Sequence, residues 1–311
     1  MLSRNWPRRA VLAGGAAIAL TRGAAAQSVP WSTGTERAKT KAPAGATDCH
    51  HHIYDSRFPM ASGAVLTAGD ATVAEYRALQ KRIGTTRNVV VLPSAYGVDN
   101  SSLLDALAQF GHKNTRGVAV VNTAVTDGEL HRLHAAGVRG IRFNLAQAGA
   151  TTVEMIEPLS QRVVKLGWHI QVNAASDMIL ANAALWDRVQ AQIVFDHLAH
   201  MHEPEGVNDP AFAVVSRLLT RGKAWVKLSG AYTDTKVGPP SYADSTKVAQ
   251  AYVKLAPRQL VWGSDWPHPT EKADAKPDDA LLFDLLAQWA PDAAVRRRIL
   301  VDNPARLYGF G

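Results

Sequence analysis

Eight short runs of β-prone residues recur along the chain, separated by segments long enough to form helices. They span 47–54, 88–95, 116–122, 138–145, 168–174, 192–198, 224–232 and 259–265. The second run is apolar almost throughout, which is typical of a strand buried on both faces of a parallel sheet. Amphipathic helices are predicted between the runs, for example over 99–110 and 153–165. Strands alternating with helices in this number predict a single-domain α/β fold, the (β/α)8 TIM barrel.

An open, doubly wound sheet is the alternative for the same alternation. Such sheets bind nucleotides through a glycine-rich loop after the first strand, and no such loop follows the run over 47–54. The single cysteine, Cys49, allows no intramolecular disulfide. The stability of the fold must therefore come from a large apolar core.

The first 26 residues predict an export signal. A basic start with Arg8 and Arg9 precedes a short apolar run over 10–20, and three alanines at 24–26 form a small-residue cleavage site. The arginine pair resembles a twin-arginine signal, and the apolar run is too short to span a bilayer. We expect a signal peptide over 1–26, a linker over 27–46 and the barrel over 47–311, in a periplasmic protein without stable membrane insertion.

The charge balance argues against a nucleic-acid partner. The chain carries a net charge of +7, but residues 1–26 hold four arginines and no acids, so the remainder carries +3. Binding to nucleic acid requires a clustered basic patch, and the sequence shows none.

Polar residues that suit catalysis lie where the predicted strands end. The first strand ends in DCHHH over 48–52, and regular alternation places Asp48, His50 and His52 on one face, with Cys49 and His51 facing the helices. In a TIM barrel the carboxyl-terminal ends of the strands form the active site. Imidazoles two residues apart can therefore converge on one ligand there.

The sixth and eighth predicted strands end in further acid and imidazole groups. The sixth ends in Asp196 and His197, and the eighth ends in WGSDWPH over 262–268. Pro267 argues against a helix that starts directly after Asp265, so a helix-capping role for this aspartate is disfavoured. The sequence therefore predicts a cluster of histidines and carboxylates at the barrel mouth.

These motifs resemble those of the amidohydrolase superfamily. Within it, the sequence is most similar to the 2-pyrone-4,6-dicarboxylate lactonase-like branch of lactone hydrolases and sugar-lactone isomerases. Further matching stretches are GIRFN at 140–144, KLSG at 227–230 and DNPARLY at 302–308. The resemblance extends from about Ala46 to the C-terminus, and it leaves the substrate open.

The resemblance implies a hydrolase in which water attacks a lactone carbonyl. Asp265 would be the general base, and His50, His52 and His197 would orient and polarise the carbonyl group. The candidates for holding an anionic or polyhydroxylated lactone substrate are Arg142, Ser94, Gln171, Lys227 and His268.

Two departures from the branch bear on substrate and cofactor. Its dicarboxylate hydrolases carry a second arginine shortly after strand four, whereas 144–150 holds no cation here, which argues against a dicarboxylated pyrone. Metal-dependent relatives place a histidine where strand five carries Gln171 and Asn173. We therefore expect no cofactor. If zinc were bound, the ligands would be His50, His52, His197 and Asp265.

Three alternatives stay open on this scaffold. They are a sugar-lactone isomerase, a zinc-dependent decarboxylase of an aromatic acid, and a periplasmic binding protein without turnover. A binding protein has no need of a base beside water, so the set of histidines and Asp265 argues against the last.

Overall fold

Eight parallel strands form the centre of the structure, a computed structural model that describes residues 1–2, 28–147 and 149–311. The strands are β1 (Thr47–His51), β2 (Arg87–Val91), β3 (Thr115–Ala119), β4 (Val138–Asn144), β5 (His169–Asn173), β6 (Ile193–Phe195), β7 (Ala224–Leu228) and β8 (Leu260–Trp262). Each strand pairs in parallel with the next one in the chain. The predicted signal peptide lies almost wholly outside the described residues.

The barrel closes just beyond the end of β8. The backbone N–H of Asp265 donates to the carbonyl oxygen of His50, and the N–H of His52 donates to that of Trp266, both at 2.8 Å. His51 and Trp266 form a parallel bridge at the same place. The last strand is thereby joined to the first, and the predicted TIM barrel is confirmed.

Helices carry the chain back from one strand to the next and cover the outside of the barrel. They are α1 (Val73–Ile83), α2 (Ser101–Phe110), α3 (Asp127–Ala135), α4 (Ile156–Val163), α5 (Ser176–Ala181), α6 (Ala183–Arg188), α7 (Pro210–Thr220), α8 (Ala243–Leu255), α9 (Asp279–Trp289), α10 (Ala293–Arg297) and α11 (Asn303–Tyr308). The helix predicted over 99–110 is confirmed as α2, and that over 153–165 is present as α4 between two 3-10 turns. None of the helices in the described part of the chain is long and apolar enough to cross a membrane.

Alternate strand residues divide the core into an inner and an outer layer. The inner cluster contains Cys49, Val89, Val91, Val118, Val194, Trp225, Val261, Leu307, Tyr308 and Phe310. Val90, between two inner residues of β2, packs in the outer layer under the helices. Arg87 and Arg116, near the starts of β2 and β3, donate to the carbonyls of Gly311 and Gly309. The C-terminus therefore covers the amino-terminal end of the barrel, and the opposite end is left for a site.

Strand β1 departs from regular alternation. Its pairing with β2 shifts register between Asp48 and His51, as a β-bulge does. Cys49 consequently joins the inner cluster, and Asp48 accepts a hydrogen bond of 2.9 Å from the hydroxyl of Tyr76 on α1. The prediction that Asp48 shares the inner face with His50 is therefore wrong, and so is the prediction that Cys49 faces the helices.

Residues 28–46 lie against the barrel. The carbonyl of Pro30 accepts a hydrogen bond from the indole of Trp266, and the backbone N–H of Thr40 donates to Asp284 on α9. The guanidinium of Arg82 donates to the carbonyl of Thr33. This segment contains no helix, yet its contacts hold it in place across the β8 side of the mouth.

Gly140 provides a test of packing inside the barrel. A Cβ at this position would lie 2.4 Å from ring atoms of the buried His169 on β5. We expect Gly140→Ala to lower the free energy of unfolding by about 1–3 kcal/mol, since overpacking forces neighbouring groups apart. Urea denaturation of both proteins measures the change. Gly128→Ala, in an open position of α3, is the control and should be neutral or stabilising; equal stability of the Gly140 variant and wild type would contradict the expectation.

Candidate active site

Four side-chain atoms converge at the carboxyl-terminal end of the barrel. The Nε2 atoms of His50 and His52 lie 3.2 Å apart, and each lies 3.5 Å from Oδ1 of Asp265. Nε2 of His197 lies 3.8 Å from the same oxygen. All four side chains are buried. The three predicted histidines and the predicted aspartate are therefore brought together.

The segments after β6 and β8 leave the extended backbone conformation, and this brings His197 and Asp265 to the cluster. His197, the first of four consecutive residues with positive φ, has φ 46°, and the run ends at His200 with φ 47°. Asp265 has φ 63°. Left-handed backbone is unfavourable for residues with a Cβ, by roughly 1–2 kcal/mol each. The sixth and eighth strands are shorter than predicted, so His197 and Asp265 lie in strained turns after β6 and β8.

Asp265 is held by groups on both of its carboxylate oxygens. The hydroxyl of Tyr232 donates to Oδ2 at 2.6 Å, which leaves Oδ1 toward the histidines. Burial alone raises the pKa of Asp265, but the charges that His197 and His50 carry when protonated, together with a hydrogen bond to His52, outweigh it and hold the pKa well below its usual range. Burial and the neighbouring carboxylate raise the pKa of Tyr232, so the phenol keeps its proton. Asp265 is therefore an ionised acceptor at neutral pH.

Two of the histidines are neutral at neutral pH. Burial lowers the pKa of His197 to about 4. Burial, with the charge of Lys227, holds the pKa of His50 well below its usual value. His52 has its Nδ1 at 2.8 Å from the carbonyl oxygen of Val91, which can only accept, so Nδ1 carries the proton.

A layer of buried charges lies beneath the cluster. Asp196 Oδ2 accepts hydrogen bonds from Arg142 Nε at 3.1 Å and from Gln171 Nε2 at 3.0 Å. Lys227 Nζ donates to Gln171 Oε1 at 2.6 Å and lies 3.1 Å from His50 Nδ1. Burial alone raises the pKa of Asp196, but Lys227, His50 and Arg142 hold it well below its usual range. The layer therefore pairs the carboxylate of Asp196 with the cations Arg142 and Lys227. A buried charge needs an opposite charge beside it.

A cavity of about 360 Å³ opens above the cluster. Of the predicted site residues, those that line it are His52, His197, Asp265, Arg142 and Ser94. A second cavity of about 240 Å³, with mostly apolar walls, shares Arg142 and Ser94 with it. The two spaces together suit a small organic ligand with both polar and apolar parts.

Four predicted site residues do not line either cavity: His50, Gln171, Lys227 and His268. His268 is fully buried, and its two ring nitrogens lie 2.9 Å from the hydroxyl of Tyr232 and 3.1 Å from Asp279. It therefore supports Tyr232 from behind. Gln171 and Lys227 belong to the layer of buried charges.

Sequence reasoning missed Tyr232 and Asn144 among the polar residues at the mouth. Tyr232 was not a candidate, although it follows β7 by only four residues. Asn144 and Asn173 also line the cavity, and the amide of Asn144 donates to Ser94 Oγ at 2.6 Å. His200 bridges Asn173 and Asp234. The available signal was the position of Asn144 and Asn173 at the ends of β4 and β5 and of Tyr232 four residues after β7.

The four-atom cluster (His50, His52, His197 and Asp265) has the spacing of a metal site but not its protonation. Tetrahedral zinc at about 2.0–2.1 Å from its ligands separates them by about 3.3–3.4 Å, close to the distances above. Each ligand nitrogen must offer a lone pair, however. Nδ1 of His50 lies 3.1 Å from Nζ of Lys227, which can only donate, and 3.2 Å from Oδ1 of Asp196, which is outside hydrogen-bond geometry. An acceptor at Nδ1 places the proton of a neutral His50 ring on Nε2, and in that form the cluster does not fit a metal ion.

A TIM barrel with histidines and an ionised aspartate at its mouth defines a class of hydrolytic enzymes. The amidohydrolase family matches residues 47–310. The chain belongs to this family, and it is an enzyme of the hydrolase type.

Characterised relatives cover most of the chain. It is 36% identical over 294 residues to a 2-pyrone-4,6-dicarboxylate hydrolase of Comamonas testosteroni, covering 89% of this chain and 94% of that protein. It is 36% identical over 274 residues to a 4-sulfomuconolactone hydrolase of Rhizobium radiobacter, with 86% and 91% covered. It is 29% identical over 269 residues to a D-galactarolactone isomerase of Agrobacterium fabrum, again with 86% and 91% covered. An apo crystal structure of an Agrobacterium tumefaciens protein superposes with a TM-score of 0.83 at 27% identity, covering 90% and 99%.

The protonation of His197 can be measured directly. Because burial lowers its pKa to about 4, we expect its ring to stay neutral down to that pH, instead of titrating near the reference value of about 6.5. An NMR titration of protein with 15N-labelled histidine, assigned with His197→Gln, gives the midpoint. The charge of Asp265 raises this pKa, so Asp265→Asn should shift the midpoint lower still. A midpoint near 6.5 in wild type would show that the ring is more hydrated than the structure indicates.

Proposed function

We propose that this protein hydrolyses a lactone by water attack, with Asp265 as the general base. The observation that carries the proposal is the placement of Asp265 Oδ1. It lies on the cavity wall within 3.5–3.8 Å of three imidazole Nε2 atoms, while Tyr232 holds the other oxygen. The two hydrolases named above act on lactone-type substrates by name, which supports the same reaction class here.

The proposed reaction has two steps. Oδ1 of Asp265 takes a proton from a water molecule as its oxygen attacks the lactone carbonyl carbon. The ring C–O bond then breaks, and the departing alkoxide oxygen takes the proton from the Asp265 carboxyl group, giving a hydroxy acid. Tyr232 keeps Oδ2 occupied and thereby directs the proton to Oδ1.

His197 stabilises the oxyanion in this proposal. Ser229 Oγ lies 3.0 Å from Nδ1 of His197, so donation by the hydroxyl leaves an N–H at Nε2 facing the cavity. Nε2 of His50 lies 3.2 Å from Nε2 of His52 and supports that ring from below, outside the cavity. Preorganised N–H groups in a buried site stabilise a developing negative charge without reorganisation.

Arg142 is the proposed contact for the acidic group of the substrate. Its Nε is used by Asp196, and it lines both cavities. Among the described residues that line them, Arg142 is the sole lysine or arginine. This charge matches a lactone with one anionic group better than one with two. The apolar walls of the second cavity suit a hydrocarbon part of the same molecule.

The relationship to a D-galactarolactone isomerase makes lactone isomerisation the second candidate. An isomerase moves the ester bond to another hydroxyl of the same molecule and needs no attacking water. Proton NMR of products from sugar lactones and muconolactone-type lactones distinguishes a hydroxy acid from an isomeric ring. Isomeric rings without a hydroxy acid would refute hydrolysis.

We also propose that the protein is exported to the periplasm by the twin-arginine route, on the basis of Arg8, Arg9, the apolar run over 10–20 and the alanines at 24–26. Replacing Arg8 and Arg9 by lysine should retain the protein in the cytoplasm, as cell fractionation and immunoblotting would show. Arg4→Lys, outside the pair, is the control and should leave export intact. Normal export of the double variant would refute this route.

Asp265→Asn tests the proposed mechanism. We expect it to lower the rate of lactone hydrolysis by roughly 10²–10⁴-fold, because an amide of the same size cannot accept a proton from water. The assay is pH-indicator hydrolysis on a lactone that wild type turns over, with circular dichroism to confirm the fold.

Asp274→Asn is the matched control for this change. Asp274 is exposed on the segment that precedes α9, so its variant should retain wild-type activity. Wild-type hydrolysis by Asp265→Asn would mean that a histidine takes the proton and that the proposed role of Asp265 is wrong.

A further inference from the structure

Lys227 is a fully buried cation that touches no cavity. It lies on β7 beneath the cluster, and its side chain has 0% exposure. Its ammonium group lies 3.5 Å from Oδ1 of the buried Asp196 and donates to Gln171 Oε1 at 2.6 Å. The hydrolysis proposed above gives this costly buried charge no contact with substrate.

We propose that Lys227 fixes the tautomer of His50 and thereby prevents the four-atom cluster from binding a metal ion. Lys227 is in this sense a positioning residue, because it acts through His50. The inference goes beyond the proposed hydrolysis, since it concerns the choice between a metal-free and a metal-dependent site.

Two groups compete for Nδ1 of His50. Lys227 Nζ lies 3.1 Å from it, and Oδ1 of Asp196 lies 3.2 Å from it. Lys227 can only donate to Nδ1, whereas Asp196 can only accept from it. Of the two, the contact with Lys227 meets hydrogen-bond geometry, whereas Oδ1 of Asp196 lies close to Nδ1 as an ion-pair contact outside that geometry. Nδ1 is therefore an acceptor, and Nε2 of His50 carries the proton.

The proton on His50 occupies the centre of the cluster. It points toward Nε2 of His52 at 3.2 Å, whereas a metal ion at the centre would need a lone pair from His50. Gln171 fixes the arrangement, because it accepts from Lys227 and donates to Asp196, so the two groups cannot exchange places. The positive charge of Lys227 directly behind His50 also repels a dication.

Removal of Lys227 should reverse the tautomer. The proton of His50 would move from Nε2 to Nδ1 and donate to the free Oδ1 of Asp196. A histidine backed by a carboxylate in this way is the usual form of a metal-ligating imidazole. His50, His52 and Asp265 would then offer three ligand atoms that already lie close together.

Zinc binding is the first test. Wild type, Lys227→Met and Lys223→Met are titrated with zinc against a chromophoric chelator, and the bound metal is counted by elemental analysis. Methionine keeps most of the volume of the lysine side chain, and Lys223, which donates to the carbonyl of Val189 before β7 begins, is the matched control. We expect Lys227→Met to bind one zinc per chain about 10- to 100-fold more tightly than the other two proteins.

The site of the added zinc is checked with a second substitution. Asp265→Asn in the Lys227→Met background should abolish the gain, because it removes one of the three ligands. Unchanged zinc affinity in Lys227→Met would overturn the proposal, as would tight stoichiometric binding by wild type or a gain that survives the loss of Asp265.

The tautomer of wild-type His50 is the second test and needs no altered Lys227. The 15N spectrum of histidine-labelled protein, assigned with His50→Gln, should show Nδ1 of His50 without a proton and Nε2 with one. A proton on Nδ1 would overturn the proposal even if Lys227→Met fails to fold. Neither test uses a lactone, so failure here leaves the proposed hydrolysis standing, and failure of Asp265→Asn to lose activity leaves this inference standing.

Discussion

The seam between the first and last strands is the constraint on which the site depends. Two backbone hydrogen bonds join His50 and His52 to the chain at Asp265 and Trp266. Because these bonds lie between the catalytic candidates themselves, closing the barrel and assembling the cluster are one event. Gly263 makes the close approach possible, since a Cβ there would lie 2.6 Å from the Cβ of His50. A side chain at that position would push the seam apart and separate Asp265 from the histidines.

The buried charges beneath the seam explain why so much polar surface is tolerated inside the barrel. Asp196 takes hydrogen bonds from Arg142 and Gln171, and Gln171 in turn accepts from Lys227. Breaking one member of such a network leaves an uncompensated charge, at a cost of about 3–5 kcal/mol. The layer therefore keeps each side chain in one orientation, and the geometry of His50 above it depends on that order.

The fold was largely predictable from the sequence, because hydrophobic period and strand spacing are properties of local segments. The predicted cluster also followed from position alone, since the ends of parallel strands meet at one mouth. Alternation failed at Asp48 and Cys49, where a bulge in β1 inserts a residue that no local pattern marks. Lys227 and His268 were expected to hold the substrate, but they line neither cavity and contact partners on other segments. Partners of that kind are set by tertiary packing, so the sequence could identify the residues but not what they contact.

Strands and loops contribute different parts of the site, and this division shows which residues can vary on this scaffold. The cluster and its buried layer come from strands and from turns tied to them by backbone hydrogen bonds, whereas much of the second cavity is formed by loop residues such as Ala64 and Ala150. Loop residues can be substituted without breaking a hydrogen bond between strands. A substitution in the cluster or its buried layer, in contrast, disturbs the seam between the first and last strands. Substrate choice and reaction chemistry are therefore separable in this barrel. Arg142 is the exception, because it anchors Asp196 below and lines both cavities above. A substitution that removes the charge of Arg142 would therefore change the cavity wall and at the same time disturb the order of the buried layer.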